Sequence, residues 1–249
     1  MTEHTQRSFP QVFAGLTVMS IALVLAAWFG AQSLTSLKNA DNTIRVTGSA
    51  RESIRADLGV WRSNVSVTGS TRQIAYENLQ QDTEQVRRYF LTEKNVPEDA
   101  FSLQNTNTRT LYEQLPNGRN SNQIRGFVMT QNFEVSLPDV DRIQALSRAS
   151  QELLTRNLNF ESTPPEFLYT KLGDLRVKML SQASQDARNR AAKIVESVGN
   201  TLGPVRSVRT GVFQITRPHS TEVSDYGMYD TRTIEKDITA VLTMSFAVK

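Results

Sequence analysis

Residues 171–198, KLGDLRVKMLSQASQDARNRAAKIVESV, decide the fold of this chain. Their apolar and small residues recur every three or four positions, which places them on one face of a helix. The members of this stripe are Leu172, Leu175, Met179, Ala183, Ala187, Ala191, Ile194 and Val198. We therefore expect a long, closely packed amphipathic helix that ends near Gly199 and Asn200.

Two strands are expected to follow this helix. The first candidate is LGPVRSVRTGVFQIT, residues 202–216, and the second is IEKDITAVLTMSFAVK, residues 234–249. In the second segment apolar residues alternate with others from Ala240 to Val248, which is the period of a half-buried strand. A further strand is expected before the helix, within NFESTPPEFLY, residues 159–169.

The same order of elements occurs earlier in the chain. A strand with Trp61 and Val65 on one face precedes a helical pattern, and a strand hairpin follows within residues 101–137. In the second strand of this hairpin Phe127, Met129, Phe133, Val135 and Leu137 alternate with polar residues. The pattern predicts an α+β fold of two βαββ repeats, with antiparallel sheets and packed helices. We place repeat one at about 57–137, a connecting helix at about 138–157 and repeat two at about 160–248.

An uncharged apolar segment precedes both repeats. Residues 12–29, VFAGLTVMSIALVLAAWF, continue as a weakly apolar stretch to residue 34. A membrane span needs about 20 apolar residues, whereas the apolar region of a secretory signal is about 7 to 15 residues long. We expect a transmembrane anchor or uncleaved signal at 12–34, with a cleaved signal as the alternative.

The anchor predicts where the rest of the chain lies. Residues 1–11 would be a cytoplasmic tail, and the domain at 43–249 would lie in the periplasm or another extracytoplasmic space. The chain has no cysteine, which excludes disulfides and thiol catalysis. We expect a single-pass protein of the bacterial inner membrane.

The charge of the chain argues against a nucleic-acid partner. The formal net charge is only +3 at pH 7. Basic residues such as Arg188 and Lys193 alternate with the acidic residues Asp186 and Glu196 on one helix. Because a nucleic-acid site needs clustered basic residues, we interpret this as a solvated helix surface.

The sequence offers little catalytic chemistry. The chain has two histidines, and His219 is followed by Glu222, Asp225 and Asp230 in a polar hairpin loop. This set could hold a hard metal or supply a general base, but its spacing matches no known metal motif. No glycine-rich phosphate loop occurs. We expect no enzyme activity, no catalytic or metal-binding residues and no cofactor.

The same loop offers a candidate contact between subunits. Tyr226, Met228 and Tyr229 occur together in SDYGMYDTR, residues 224–232, on a polar loop. Aromatic residues and methionine are enriched at the centres of protein interfaces. We predict these three residues as a subunit contact, and an ordered loop without a partner is the alternative.

Several segments resemble the SIMPL-domain family, which includes the bacterial periplasmic immunogenic protein. They are GFVMTQNFEVSLPDVDRIQALSRAS, ASQDARNRAAKIVESVGNTLGPVRSVR, the opening strand pair from IRVTGSA and the closing DITAVLTMSFAV. The resemblance covers about 43–248. The chain departs from the family where Ala56 and Asp57 replace a common Pro-Asp pair, and where a glycine is missing near Lys236.

The resemblance implies a non-enzymatic envelope protein that assembles into large homo-oligomeric rings. Members of the family are linked to envelope integrity and tolerance of oxidative stress. A monomeric or dimeric binding or chaperone-like module is the alternative, and a hydrolase or metal enzyme centred on His219 is a third. The expected partners are other copies of the chain and a membrane through residues 12–34.

Overall fold

The computed structural model describes residues 15–29, 42–116 and 118–249. Helix α1 covers 15–29, and the other helices are α2 Arg72–Arg88, α3 Val140–Ala149, α4 Glu152–Thr155 and α5 Leu172–Ser197. The strands are β1 Thr43–Arg55, β2 Leu58–Gly69, β3 Phe101–Gln114, β4 Asn120–Leu137, β5 Phe160–Ser162, β6 Glu166–Leu168, β7 Leu202–Thr210, β8 Gln214–Thr216, β9 Met228–Tyr229 and β10 Glu235–Val248.

The strands form two five-stranded sheets. The first has the order β3-β4-β2-β5, with β6 also paired to β2. The second has the order β1-β10-β8-β9, with β7 also paired to β10. The class is α+β, as the sequence predicts. The second sheet is mixed rather than antiparallel, because β8 and β9 run parallel.

The strands that open and close the repeats pair across long distances in the chain. Strands β5 and β6, which lie at the start of the predicted second repeat, both pair with β2. Strand β1, from the start of the domain, is the neighbour of β10. Consequently each sheet is completed by a strand that lies outside its repeat in the sequence.

The prediction of a membrane anchor at 12–34 is wrong. The described part of helix α1 is 15–29, and residues 12–14 and 30–34, like the expected cytoplasmic tail at 1–11, lie outside the described residues. No helix in the described part of the chain is long and apolar enough to cross a membrane. The predicted single-pass location in the inner membrane is corrected with it.

The chain divides into two compact units. The larger comprises Ala50–Met179 and Val212–Ala240, and the smaller comprises the described residues up to Ser49 with Leu180–Gly211 and Val241–Lys249. Strands β1 and β10 and helix α5 each run through both units. The division therefore follows packing density rather than the order of elements.

The core of the larger unit is aromatic. Trp61 on β2 contacts Phe90, in the π-helical turn Tyr89–Glu93 that follows α2, with their ring centroids 5.4 Å apart, and Phe101 stacks on Phe133 at 5.8 Å. The Trp61 indole also donates hydrogen bonds to Ser162 Oγ and to the carbonyl of Thr163. The alternation predicted for β2 and β4 is confirmed, because Trp61, Val65, Met129, Phe133 and Val135 are all buried.

The smaller unit has a core of small side chains. Ala183, Ala187 and Ala191 on α5 are completely buried. A Cβ atom added to Gly48 of β1 would lie only 2.2 Å from the carbonyl oxygen of Ala183. Strand and helix therefore touch backbone to backbone, which only glycine allows.

The stripe predicted for α5 ends differently from the sequence interpretation. The buried positions after Ala191 continue with Val195, which keeps the four-residue step. Ile194 and Val198 were expected in the stripe, but both are exposed. The last turn of the helix therefore presents apolar residues to solvent.

Candidate functional site

The predicted contact residues lie on the loop between β8 and β10, residues 217–233, which we call the tyrosine loop. Tyr226 is at its tip and is 97% exposed. Met228 is half-buried and Tyr229 is 40% exposed, and these two residues form the short strand β9. The structure therefore brings the three residues into one loop but exposes them to very different extents.

Hydrogen bonds within the larger unit hold the tyrosine loop in place. The Tyr229 hydroxyl accepts from the backbone N–H of Tyr169 at 3.0 Å and is 3.3 Å from the Tyr169 carbonyl. Gln214 Nε2 donates to the carbonyl of Ser224 at 2.6 Å. Tyr229 thus serves the fold, whereas Tyr226 remains available at the tip.

A buried lysine secures the base of the loop. Lys236 has no exposed surface, and its Nζ donates to the carbonyls of Asp230, at 2.6 Å, and Thr233. Burial lowers the pKa of Lys236, although the charge and hydrogen bond of Asp230 oppose this shift. The sequence showed only that the glycine common in the SIMPL family before the final strand is missing near Lys236, and the structure shows that this lysine binds the loop backbone.

The Asp230 carboxylate belongs to the same network. Burial raises its pKa. Hydrogen bonds from Thr233 and from the N–H of Arg232, together with the charge of Lys236, lower the pKa by more than burial raises it and leave it below its usual range. The carboxylate is therefore occupied inside the loop.

A second buried carboxylate anchors the start of the loop. Asp237 on β10 accepts hydrogen bonds from Ser53 Oγ and the Arg51 guanidinium, both at 2.6 Å, and from the N–H of His219 at 3.3 Å. The Ser53 hydrogen bond is the main cause of a lowered pKa at Asp237, with Arg51 and His219 adding to it against the effect of burial. His219 itself has a left-handed φ of 61°.

The polar residues near His219 form separate pairs rather than one site. Glu222 lies 3.6 Å from Arg217, and Asp230 is held by Thr233 and Lys236. Among the described residues, no three His, Cys, Asp or Glu side chains come together as a metal-binding group. The arrangement offers polar contacts that order the loop.

A second exposed surface lies on the hairpin of β3 and β4. Its outer part, residues 103–116 and 118–126, is called the arm here. Apart from Phe101, Thr110 and Leu111, every residue of β3 is exposed. Four large apolar side chains of the arm are more than 40% exposed: Leu103, Tyr112, Leu115 and Ile124.

The arm also presents an unpaired strand edge. Strand β3 is the last strand of the first sheet and pairs only with β4 among the described strands. Tyr112 and Ile124 lie opposite each other across the two strands, so their side chains form one exposed apolar patch. Edge strands with exposed apolar residues readily pair with another chain.

Comparisons with known proteins place the chain in a family. Residues 44–246 match the model of the SIMPL family, described as a protein of unknown function (DUF541). The chain is also similar to the uncharacterized protein YggE of Edwardsiella ictaluri (strain 93-146). The two are 26% identical over 235 residues, which cover 89% of this chain and 95% of that protein. The SIMPL resemblance seen in the sequence is confirmed, and the chain belongs to the SIMPL family.

Proposed function

We propose that this chain is a non-enzymatic protein that binds other copies of itself through the arm and forms a homo-oligomer. The observation that carries the proposal is the uncovered arm. The arm exposes four large apolar side chains to water: Leu103, Tyr112, Leu115 and Ile124. Beside them the free edge of β3 can form backbone hydrogen bonds with another strand. A lone two-stranded hairpin is marginally stable, so a partner that covers both faces would stabilise it.

The tyrosine loop supplies a second surface for the same assembly. Tyr226 projects from a loop that Lys236 and Tyr229 hold in place, so little conformational entropy is lost when the tyrosine is buried. The arm and the tyrosine loop are different surfaces of the larger unit. If the arm of one copy binds the loop of the next, the contact is head-to-tail, and such contacts close into a ring when the rotation permits.

The mass of the full-length chain in solution tests the proposal. Light scattering is expected to give a particle many times heavier than the 27.9 kDa chain, and negative-stain imaging is expected to show closed particles. A variant with Tyr112→Ser, Leu115→Ser and Ile124→Ser should be much smaller. Tyr226→Ser should also reduce the mass, because the loop loses its exposed aromatic ring.

A matched control separates the arm from apolar exposure in general. Val177 on α5 and Val198 directly after it are exposed valines outside both proposed surfaces. Val177→Ser with Val198→Ser should leave the particle mass unchanged. A wild-type mass equal to that of one or two chains would instead favour the alternative of a small binding module, and an arm variant as large as the wild type would refute the role of the arm.

A further inference from the structure

The exposed face of β1 carries a regular row of polar side chains. Val46 and Gly48 point into the protein, whereas Thr43, Arg45 and Thr47 are exposed. This alternation is the ordinary consequence of strand geometry, in which successive side chains point to opposite faces. The face opposite α5 therefore begins with an arginine between two threonines.

Strands β10 and β7 extend this row. Thr243 of β10 lies opposite Arg209 of β7 in the antiparallel register. The hydroxyl oxygens of Thr47 and Thr243 are 3.4 Å apart. Thr47, Thr243 and Arg209 thus cross three neighbouring strands, and Arg45 lies two residues away on β1.

These side chains surround a shallow depression of about 530 Å³. The described residues that line it are two arginines, three hydroxyl residues and one valine: Arg45, Arg209, Thr47, Thr243, Ser207 and Val208. No carboxylate from the described part of the chain lines it. Neither arginine has an acidic side chain within ion-pair distance among the described residues.

Two other arginines on open sheet faces, Arg62 and Arg51, are neutralised by acidic neighbours. Arg62 on β2 lies 2.8 Å from Glu134 and 3.1 Å from Glu166. Arg51, further along the exposed row of β1, lies 2.6 Å from Asp237. Arg45 and Arg209 therefore differ from their counterparts in charge balance and not in exposure, since all four are on open strand faces.

We propose that the depression between Arg45 and Arg209 binds a small, soluble, phosphate-bearing ligand. A guanidinium group presents a planar pair of donors that matches two oxygens of one phosphate. The hydroxyls of Thr47, Thr243 and Ser207 form a floor that donates hydrogen bonds to further oxygens. The volume lies within the range of small-molecule sites, about 300–1,000 Å³.

The two arginines favour a ligand with two phosphate groups. Strands β1 and β7 flank β10, so their backbones lie about 10 Å apart, which is twice the spacing of neighbouring strands. Each arginine can then bind one phosphate from its own side of the depression. Inorganic pyrophosphate is the simplest probe with this chemistry.

Calorimetric titration of the full-length protein with inorganic pyrophosphate tests the proposal. Saturable binding is expected, and Arg45→Ala with Arg209→Ala should weaken it at least tenfold. Thr243→Glu should weaken it to a similar extent while keeping both arginines, because the new carboxylate repels the ligand from the floor. Absence of saturable binding by the wild-type protein would overturn the proposal.

Two comparisons exclude simpler explanations. Arg62→Ala removes an exposed arginine that already has acidic partners, so it should leave pyrophosphate binding unchanged; an equal loss in this variant would show general charge attraction and overturn the proposal. Vesicles of phosphatidylglycerol provide a lipid phosphate, and binding to them but not to pyrophosphate would also overturn it. The particle mass, measured on the same samples, is expected to remain that of the wild type in all variants, so this result stands apart from the proposed self-assembly.

Discussion

The open faces of the two sheets follow the same strand alternation, but Arg62 on the first sheet and Arg45 and Arg209 on the second have different neighbours. On the first sheet Arg62 contacts both Glu134 and Glu166, so the positive charge is balanced within the face. On the smaller unit Arg45 and Arg209 face solvent, and the described residues beside them are hydroxyl residues and a valine. The alternation of the strand decides which side chains are exposed, whereas the identity of the cross-strand neighbour decides whether an exposed arginine is neutralised by a carboxylate.

The covered faces differ as well. In the larger unit the space between sheet and helices is filled by large rings, including Trp61, Phe90 and Phe133. In the smaller unit Gly48 lies directly against the backbone of α5 between Ala183 and Ala187. The core of the larger unit depends on the volume of its aromatic side chains. The packing of β1 on α5 in the smaller unit depends on a residue that has no side chain.

The largest expected effect tests this second kind of packing. Gly48→Ala places a methyl group 2.2 Å from the Ala183 carbonyl oxygen and 2.5 Å from the Ala187 nitrogen, so strand and helix must separate. We expect the free energy of unfolding to fall by about 3 kcal/mol, at the upper end of overpacking effects. Urea denaturation followed by circular dichroism measures it.

The control is a glycine on α5 itself. A Cβ atom added to Gly173 meets nothing within 4 Å. Gly173→Ala should therefore leave stability unchanged or raise it by up to about 1 kcal/mol, because alanine is the better helix former. Equal losses at Gly48 and Gly173 would contradict the close approach of β1 to the helix.

A smaller effect is expected at Asp237, the acidic partner of Arg51 on β1. Asp237→Asn removes the charge that faces Arg51 and replaces one acceptor oxygen with a donor group, opposite the hydrogen-bond donors Ser53 and His219. We expect a loss of about 2 kcal/mol at pH 7. Chemical denaturation at a series of pH values measures the difference.

The pH dependence of this loss has a definite sign. The pKa of Asp237 is lowered in the folded protein, so its stabilising effect is complete above the ordinary aspartate pKa of about 3.9 and disappears as the pH falls through the folded pKa. The gap between wild type and Asp237→Asn should therefore narrow below about pH 4. Asp225→Asn, at an exposed loop position, is the control, and a gap that stays constant with pH would argue against the buried ion pair.

The smallest effect compares the two open faces directly. Arg62→Ala leaves Glu134 and Glu166 without their shared cation and should cost up to about 1 kcal/mol at low salt, with less at high salt. Arg45→Ala removes no ion pair described in the structure, so a change under about 0.5 kcal/mol is expected. A salt-dependent loss at Arg45 equal to that at Arg62 would show that Arg45 has an acidic partner after all.

Local periodicity allowed much of the fold to be predicted. The alternation around Trp61 and Phe133 identified the buried faces of β2 and β4, and the four-residue step identified α5 as far as Ala191. These features depend on neighbours a few residues apart, which a single sequence displays. Ile194 and Val198 were misplaced because apolar character alone does not show where a helix leaves its sheet.

Strand pairing could not be predicted because it joins distant parts of the chain. Nothing in the sequence of β1 shows that β10 is its neighbour, or that β5 and β6 complete the first sheet beside β2. The sequence also gives no sign of the parallel pairing of β8 with β9. The apolar segment at 12–34 misled for a different reason, since hydropathy was taken as a sign of a spanning helix without evidence of helix length.

The candidate sites divide in the same way. Tyr226 could be selected from its position in a polar loop, and its role as a contact stays a prediction. The structure was needed to find the hydrogen bond between Tyr229 and Tyr169 and the burial of Lys236 beneath the loop. The depression between Arg45 and Arg209 could not be predicted from the sequence, because it is defined by the lack of an acidic neighbour among the described residues.

Gly48 also determines how β1 is aligned when it joins a strand nearly two hundred residues further along the chain. It is the sole glycine among the thirteen residues of β1. A shift of the strand by two residues keeps the alternation of faces but brings Val46 or Ala50 to the point where the helix backbone leaves no room for a side chain. Gly48 therefore allows β1 to pack on α5 in one register, because a shifted register produces a steric clash between a side chain and the helix backbone.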